Sequence, residues 1–250
     1  MYQFFVEPSQ IQGDKVVITG KDVNHIKNVL RMKPGEEISV KNGSEDKEYR
    51  CGIEELGEEE IICELRFIKE EGVELPSKIY LFQGLPKGDK MELILQKAVE
   101  LGVYEVIPVA SKRAVVKLDE KKAKSKAQRW QGIAQAAAKQ SKRGIVPRVH
   151  EVMSFGEAAQ YSRCAQVRLI PYELAEEKGQ NMEKTKGIIG SIKPGEDVAV
   201  FIGPEGGFAR EEIQEALGEG LVPITLGKRI LRTETAGMAV LAILMYHLER

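Results

Sequence analysis

The sequence is short of several things whose absence narrows what the chain can be. Cysteine is scarce: Cys51, Cys63 and Cys164 are the only three in 250 residues, and their spacing makes neither a CxxC pair nor a metal set. An odd, sparse count fits a reducing compartment, here the cytoplasm. Cys51 and Cys63, either side of a hairpin turning near Gly57, read as packed thiols. No clustered ligands point to a metal ion. Net charge is close to nil, −1 from 37 Lys and Arg against 38 Asp and Glu, so no global field draws the chain to a polyanion. The apolar stretch Ala236–Leu248 is shorter than the roughly 20 residues that cross a bilayer. The first residues lack the basic and apolar regions of a secretory leader, and Glu7-Pro8 arrives at once. There is no repeat and no low-complexity linker. What remains, 42% hydrophobic and 30% charged, suits a soluble globular protein of one or two domains.

The charge that cancels overall is unevenly placed. Between Glu36 and Glu74 there are fourteen acidic residues and five basic ones; between Lys112 and Arg148, twelve basic residues face only Asp119 and Glu120. The second block attracts a polyanion and makes its binding salt-dependent. The first repels phosphate, so if the N-terminal part binds a nucleic acid it does so through the first thirty-odd residues.

Up to about residue 70 the chain reads as short strands punctuated by glycine: Gln3–Val6, Lys15–Thr19, Glu37–Lys41, Glu48–Ile53 and Glu60–Ile68. Five such strands favour a small closed or half-closed barrel. One helix interrupts them, Lys21–Arg31, with Asp22 as cap and Val23, Ile26, Val29 and Leu30 on one face. Leu75-Pro76-Ser77 marks the boundary, dividing the chain into 1–72 and 73–250. Beyond it, the strand Lys78–Gly84, a helix from an Asp89 cap to Leu101 and the strand Glu105–Ala110 make a βαβ unit, hence a parallel sheet and an α/β fold. A helix over Ala127–Lys139, a strand over Gln166–Ile170 and a polar loop with a short helix over Gly179–Ser191 follow.

The densest signal is Val198–Arg250. Val198–Ile202 reads as a buried parallel strand, and GPEGGF (Gly203–Phe208) follows it. Ala209–Leu217 reads as a helix, Ile224–Leu226 as a strand, and LGKRILRTETAG (Leu226–Gly237) leads into an apolar helix, Thr233–Leu248, with Thr233 or Thr235 as cap. Glycine lets a backbone approach a ligand, and open α/β sheets bind small molecules at the carboxyl ends of their strands. Neither a P-loop nor a GxGxxG fingerprint is present. Spacing alone therefore implies a backbone-lined small-molecule site.

FIGPEGGF followed by LGKRILRTETAG resembles the cofactor-binding end of the SPOUT methyltransferases. With the Val-Leu-Arg of the first helix and LPKGDKMELILQKAVELGV (Leu85–Val103), it is most similar to the RsmE family, the 16S ribosomal RNA (uracil-N3)-methyltransferases. The resemblance covers nearly the full length. It implies a C-terminal SPOUT-type parallel sheet with a trefoil knot, preceded by a small PUA-like β-barrel RNA-binding domain. It also implies S-adenosylmethionine as cofactor, 16S rRNA of the small ribosomal subunit as partner, and a homodimer built on the C-terminal helix. The cofactor would lie against Leu169, Pro171, Ile202, Gly203, Gly206, Gly207, Leu226, Gly227, Ile230 and Leu231. RNA contacts would come from His25, Arg31, Lys87, Lys90, Lys97, Arg113 and Arg143. Ser141 and Arg143 match a family Glu-Gln-Ser-x-Arg pattern, but Lys139 stands where Glu is usual, and that position receives no role.

Methyl transfer needs a held donor, an aligned nucleophile and removal of a proton. Uracil N3 is protonated at neutral pH, so a guanidinium near the cofactor loop, Arg232, is the candidate for stabilising the developing anion. Glu234, Glu205 or a water would accept the proton. The alternative for Arg232 and Glu234 is a local ion pair that stiffens the loop. Two other functions share these residues: methylation of a ribose 2′-hydroxyl, and a non-catalytic RNA-binding assembly factor.

Overall fold

The computed structural model describes residues 1–70, 72–116, 118–173 and 179–249, without the Glu120 side chain. Glu71 and Lys117, counted in the two charge blocks, lie outside the described residues. Two compact units emerge: Met1–Glu74 with Ala138–Val146, and Leu75–Ala137 with Pro147–Arg250. The break after Glu74 falls beside Leu75-Pro76, but nothing in the sequence singled out residues 138–146 as part of the first unit.

In the first unit β1 (Gln3–Phe5), β2 (Ile11–Gln12), β3 (Lys15–Thr19), β4 (Glu37–Lys41), β5 (Glu48–Leu56) and β6 (Glu60–Lys69) form one sheet, in the order β1-β4-β5-β6-β3-β2. All pairs are antiparallel except β1 with β4. Alternation sends Phe4, Val16, Ile18, Ile38, Val40 and Ile61 into a single core, each worth about 1.5–3 kcal/mol when fully buried. Cys51 and Cys63 belong to the same core as free thiols. Register shifts along β5 set Cys51 opposite Leu65 and Cys63 opposite Ile53. Burial pushes both thiols up to about 12, which leaves them inert packing groups.

The first helix is shorter than its apolar periodicity suggests. α1 (Lys21–Asn24) opens into a wider turn over His25–Val29, where the Leu30 N–H reaches back to the His25 carbonyl. Arg31 follows at φ 52, a left-handed conformation that is uncommon outside glycine and worth attention when seen. Asp22 does not cap. Its carboxylate takes Lys139 at 3.1 Å, and the same ammonium lies 4.8 Å from the centre of the Phe4 ring. Lys139, the departure from the family pattern, is thus a structural cation of this unit.

Arg143 corrects an expectation. It is only 4% exposed, and its Nε lies 3.1 Å from both carboxylate oxygens of Glu74. Glu74 Oε1 also accepts the Gly144 and Ile145 N–H groups at 3.1 and 3.2 Å. A guanidinium committed to a buried carboxylate is not presented to RNA, and breaking such a pair costs about 3–5 kcal/mol.

The second unit is built on parallel strands: β7 (Ile79–Gly84), β8 (Glu105–Ala110), β9 (Arg148–Val149), β10 (Met153–Ser154), β11 (Val167–Pro171), β12 (Val198–Ile202) and β13 (Val222–Ile224). Their order is β10-β8-β7-β12-β11-β13, with β9 also on β8. β7 and β12 are buried along their whole length, as central strands covered on both faces should be. Phe82 stacks on Phe201 at 4.3 Å and 2° between planes. Around the sheet lie α2 (Lys90–Glu100), α3 (Glu120–Gln140), α4 (Phe155–Tyr161), α5 (Met182–Ser191), α6 (Arg210–Gly218) and α7 (Thr233–Leu248).

Several boundaries move for identifiable reasons. α3 starts at Glu120 rather than Ala127, because the Lys-rich segment is a solvated helical face. α4, with its Ser154–Glu157 capping box, had no apolar periodicity long enough to reveal it. β13 ends at Ile224, so Leu226 belongs to the loop beyond. From that edge strand the chain returns to the middle of the sheet, where α7 packs on α2, α5 and β12. This return is the segment in which the resemblance places the knot. Neither threonine caps α7: Arg232 holds the N-cap position without a side-chain bond.

At the start of β8 a polar cluster fastens the sheet to α4. Glu105 Oε2 lies 2.7 Å from His150 Nε2 and accepts the Tyr161 hydroxyl at 2.8 Å. Burial works to raise the Glu105 carboxyl, but the hydrogen bonds from His150 and Tyr161 outweigh it and hold it below the usual range. A depressed carboxyl stabilises the fold above its unfolded value of about 4.3 and loses that contribution as pH falls through the folded value. Glu105→Gln is therefore expected to be about 1–3 kcal/mol less stable in urea titrations at neutral pH. The gap from the wild-type chain should narrow as pH drops below about 4.

Candidate functional site

β11, β12 and β13 lie near one another in parallel, and a cleft of about 480 Å³ opens over their carboxyl ends. Each strand contributes the residues that follow it: Pro171–Glu173 after β11, most of Ile202–Phe208 after β12, and Thr225–Thr233 after β13, with Lys90 and Ala236 at the margins. This is the crevice at which open parallel sheets take ligands.

The loop after β12 is shaped by close approach. Pro204 rests on the end of β7, where a Cβ on Gly84 would lie 2.6 Å from Pro204 Cδ. The turn closes with the Gly207 N–H on the Pro204 carbonyl at 2.8 Å, and Gly207 sits at φ 64. Its far end is held by Glu212, 2% exposed, which accepts the N–H groups of Ala209 and Lys112 at 2.8 Å each. The third wall turns at Gly227, φ 111, and exposes Lys228, Arg229, Ile230 and Arg232.

Lys90 organises the carboxylates. Its ammonium lies 2.9 Å from Glu205 and 3.4 Å from Glu234. Glu205 also accepts the Lys87 backbone N–H at 3.1 Å. Burial acts to raise the Glu205 carboxyl, but Lys90 and the backbone N–H groups of Glu205 and Lys87 hold it below the ordinary range. A carboxylate so held is a poor proton acceptor. Glu234 is held more loosely, its buried Oε2 meeting the same Lys90 ammonium at 3.4 Å. Among the described residues no ion pair joins Arg232 to Glu234; Lys90 takes that carboxylate instead.

The expected site residues therefore separate. Pro171, Ile202, Gly203, Gly207, Leu226, Gly227, Ile230, Leu231, Arg232, Glu234 and Glu205 gather in or beside the cleft. Leu169 does not: it is fully buried in β11 between Val200 and Val222, since the strand alternates and reaches the cleft only at Pro171. Gly206 stands outside the lining, its carbonyl accepting Arg113 Nη1 at 3.2 Å. Lys90 is turned to the two glutamates, and Lys97 to Glu100 at 2.8 Å. Lys87 and Arg113 remain exposed, as does Arg31 in the other unit, where His25 is half-buried with its ring against Phe4. The segment Leu169–Glu173 resembles one wall of the family's cofactor pocket, and Tyr172 and Glu173 do line the cleft, but sequence reasoning passed over Gln83 and Thr225. Thr225 lay inside the expected strand Ile224–Leu226, which in fact ends at Ile224, and Gln83 carried no signal. Among the described residues no His, Cys, Asp and Glu group could hold a metal, and no helix is long and apolar enough to cross a membrane.

Comparison with known proteins bears on this geometry. The RNA methyltransferase domain family model matches residues 73–245, and the RNA methyltransferase PUA domain model matches 18–66. The chain is 38% identical over 252 residues to the ribosomal RNA small subunit methyltransferase E of Bacillus subtilis, covering 100% of this chain and 98% of that one. To its namesake in Aquifex aeolicus it is 30% identical, over 98% and 99% of the two chains. The crystal structure of the Neisseria gonorrhoeae ribosomal RNA small subunit methyltransferase E, bound to S-adenosyl methionine, superposes with a TM-score of 0.82 at 32% identity, covering 98% and 97%.

The contact between Gly84 and Pro204 is tight enough to test. Gly84→Ala should cost about 1–3 kcal/mol by overpacking, read as a lowered melting temperature. Gly187→Ala, in α5 with nothing within 4 Å of the new methyl, should be neutral or stabilising by about 0.5–1 kcal/mol.

Proposed function

The chain belongs to the ribosomal RNA small subunit methyltransferase E family, and we propose that it transfers a methyl group from S-adenosylmethionine to N3 of a uridine in 16S rRNA. The observation that carries this reading is the cleft over β11, β12 and β13, with Arg232 and Glu234 at one margin. Its volume of about 480 Å³ lies in the range of small-molecule sites. Its walls suit the cofactor because the loop after β12 offers glycine backbone there, folded so tightly that a Cβ on Gly203 would lie 3.1 Å from Gly207 Cα. Gly203, Gly207, Leu226, Gly227, Ile230 and Leu231 would hold it. S-adenosylmethionine, when bound, supplies an activated methyl group.

The chain's own residues then have two tasks. Arg232, exposed at the cleft wall, stabilises negative charge as a uracil gives up its N3 proton, an effect strongest where water is excluded. The proton passes to Glu234 or to a water beside it, because Glu205 is spent on Lys90 and Lys87. Lys228 and Arg229 extend the positive margin toward a phosphate backbone. The exposed lysines of α3, with Lys87, Arg113 and Arg31, provide the wider attraction for RNA, and Lys90 acts by positioning carboxylates. The work belongs in the cytoplasm, beside the small ribosomal subunit. α7 favours a homodimer, since Tyr246 and Ile243 are 85% and 44% exposed on an apolar helix whose other face is buried at Val240, Leu241, Leu244 and Leu248.

Small subunits from a strain lacking the endogenous activity, incubated with labelled S-adenosylmethionine and digested to nucleosides, should carry the label in 3-methyluridine. Label in a 2′-O-methyl nucleoside would overturn the acceptor and leave the fold standing. Arg232→Ala should lower the rate about 10²–10³-fold, as loss of a charge-stabilising donor does, with cofactor binding retained. For the dimer, Tyr246→Glu with Ile243→Glu should sediment as a monomer where the wild-type chain does not.

A further inference from the structure

Outside the cleft's lining, Gln83, next to last in β7, is a fully buried polar side chain. Its Nε2 donates to the Gly84 carbonyl at 2.9 Å and to Thr233 Oγ1 at 2.9 Å. Thr233 in turn donates its hydroxyl proton to the Gly203 carbonyl at 2.6 Å. The direction of this relay is fixed, because an amide NH2 only donates and so leaves the threonine hydroxyl one proton to give. Gln83 Oε1 is buried with no hydrogen-bond partner, beside the Cα of Gly237 in α7, where an added Cβ would meet it at 3.6 Å. An orphaned acceptor in a core is a cost that leucine would avoid, so the amide's value lies in its two donated bonds.

Those bonds tie together the two loops that face each other across the cleft. Gly203 opens one, and Thr233 closes the other at the first turn of α7. We propose that Gln83 is a positioning residue for cofactor binding, setting the spacing of the two loops through Thr233 and the Gly203 carbonyl without touching the ligand. The inference rests on the methyltransferase reading of the same cleft. Loss of the amide leaves Thr233 without its donor, frees its proton to turn away from Gly203, and lets the loops drift. RNA contacts on other surfaces are untouched, so the larger loss falls on the cofactor, although Lys228, Arg229 and Arg232 share the loop that Thr233 closes.

The test is calorimetric titration of S-adenosylmethionine into the full chain, with melts of each variant and separate KM values for cofactor and RNA. Gln83→Met and Thr233→Val should each weaken cofactor binding about tenfold, with a smaller change, within about threefold, in the KM for RNA. Thr233→Ser, which keeps the hydroxyl, should bind within about twofold of wild type. The double variant should be no weaker than Thr233→Val alone, because both act on one relay. Wild-type affinity in Gln83→Met, or losses that multiply in the double variant, would overturn the inference and spare the methyltransferase reading. If Gln83→Met does not fold, the threonine pair decides: equal losses in Thr233→Val and Thr233→Ser would overturn the relay. A wild-type chain that binds no S-adenosylmethionine would overturn the methyltransferase reading and this inference with it.

Discussion

The seating of Pro204 on Gly84 is the constraint from which the functional end of the sheet follows. Two neighbouring parallel strands, β7 and β12, are locked by the stack of Phe82 on Phe201, so their ends are brought level. Only a residue without a Cβ at the end of β7 lets the loop after β12 lie down there. Once that loop is seated, Gly203 and Gly207 come within van der Waals reach, and the Gly203 carbonyl meets the threonine of the returning chain. The cleft is the space left between that seated loop and the one after β13. Its backbone walls are a packing result before they are a binding result.

Charge is handled at the cleft by compensation more than by exposure. Lys90 is drawn inward to two glutamates, while the loop after β13 sends its own cations outward. This division separates two carboxylates that look equivalent in sequence. Glu205 takes the ammonium at 2.9 Å and a backbone N–H and is held in its charged form, whereas Glu234 meets the same ammonium at 3.4 Å.

The first unit shows the same preference for internal pairing. Its Glu74 gathers Arg143, Gly144 and Ile145, and Lys139 is shared between Asp22 and the face of Phe4. Two cations of the basic stretch are thereby withdrawn from any polyanion. The lysines that stay exposed in α3 lie in its first turns, ahead of the buried Ala127, Trp130 and Ala134.

Much was legible from the residues in order. Val198–Ile202 and Thr233–Leu248 fall where apolar runs and periodicity put them, the strands of the first unit follow two-residue alternation, and GPEGGF with LGKRILRTETAG marks the cleft, because these signals depend only on neighbours along the chain. The family, too, is written in those motifs. What the sequence could not say is which groups meet. That Leu169 is core while Pro171 is cleft, that Arg143 belongs to Glu74, that Lys90 spans two glutamates and that Gln83 reaches Gly203 through Thr233 were decided by tertiary structure alone. Each depends on residues far apart in the chain being brought within hydrogen-bond distance, and on burial making an unpaired polar group costly. No local period carries that information.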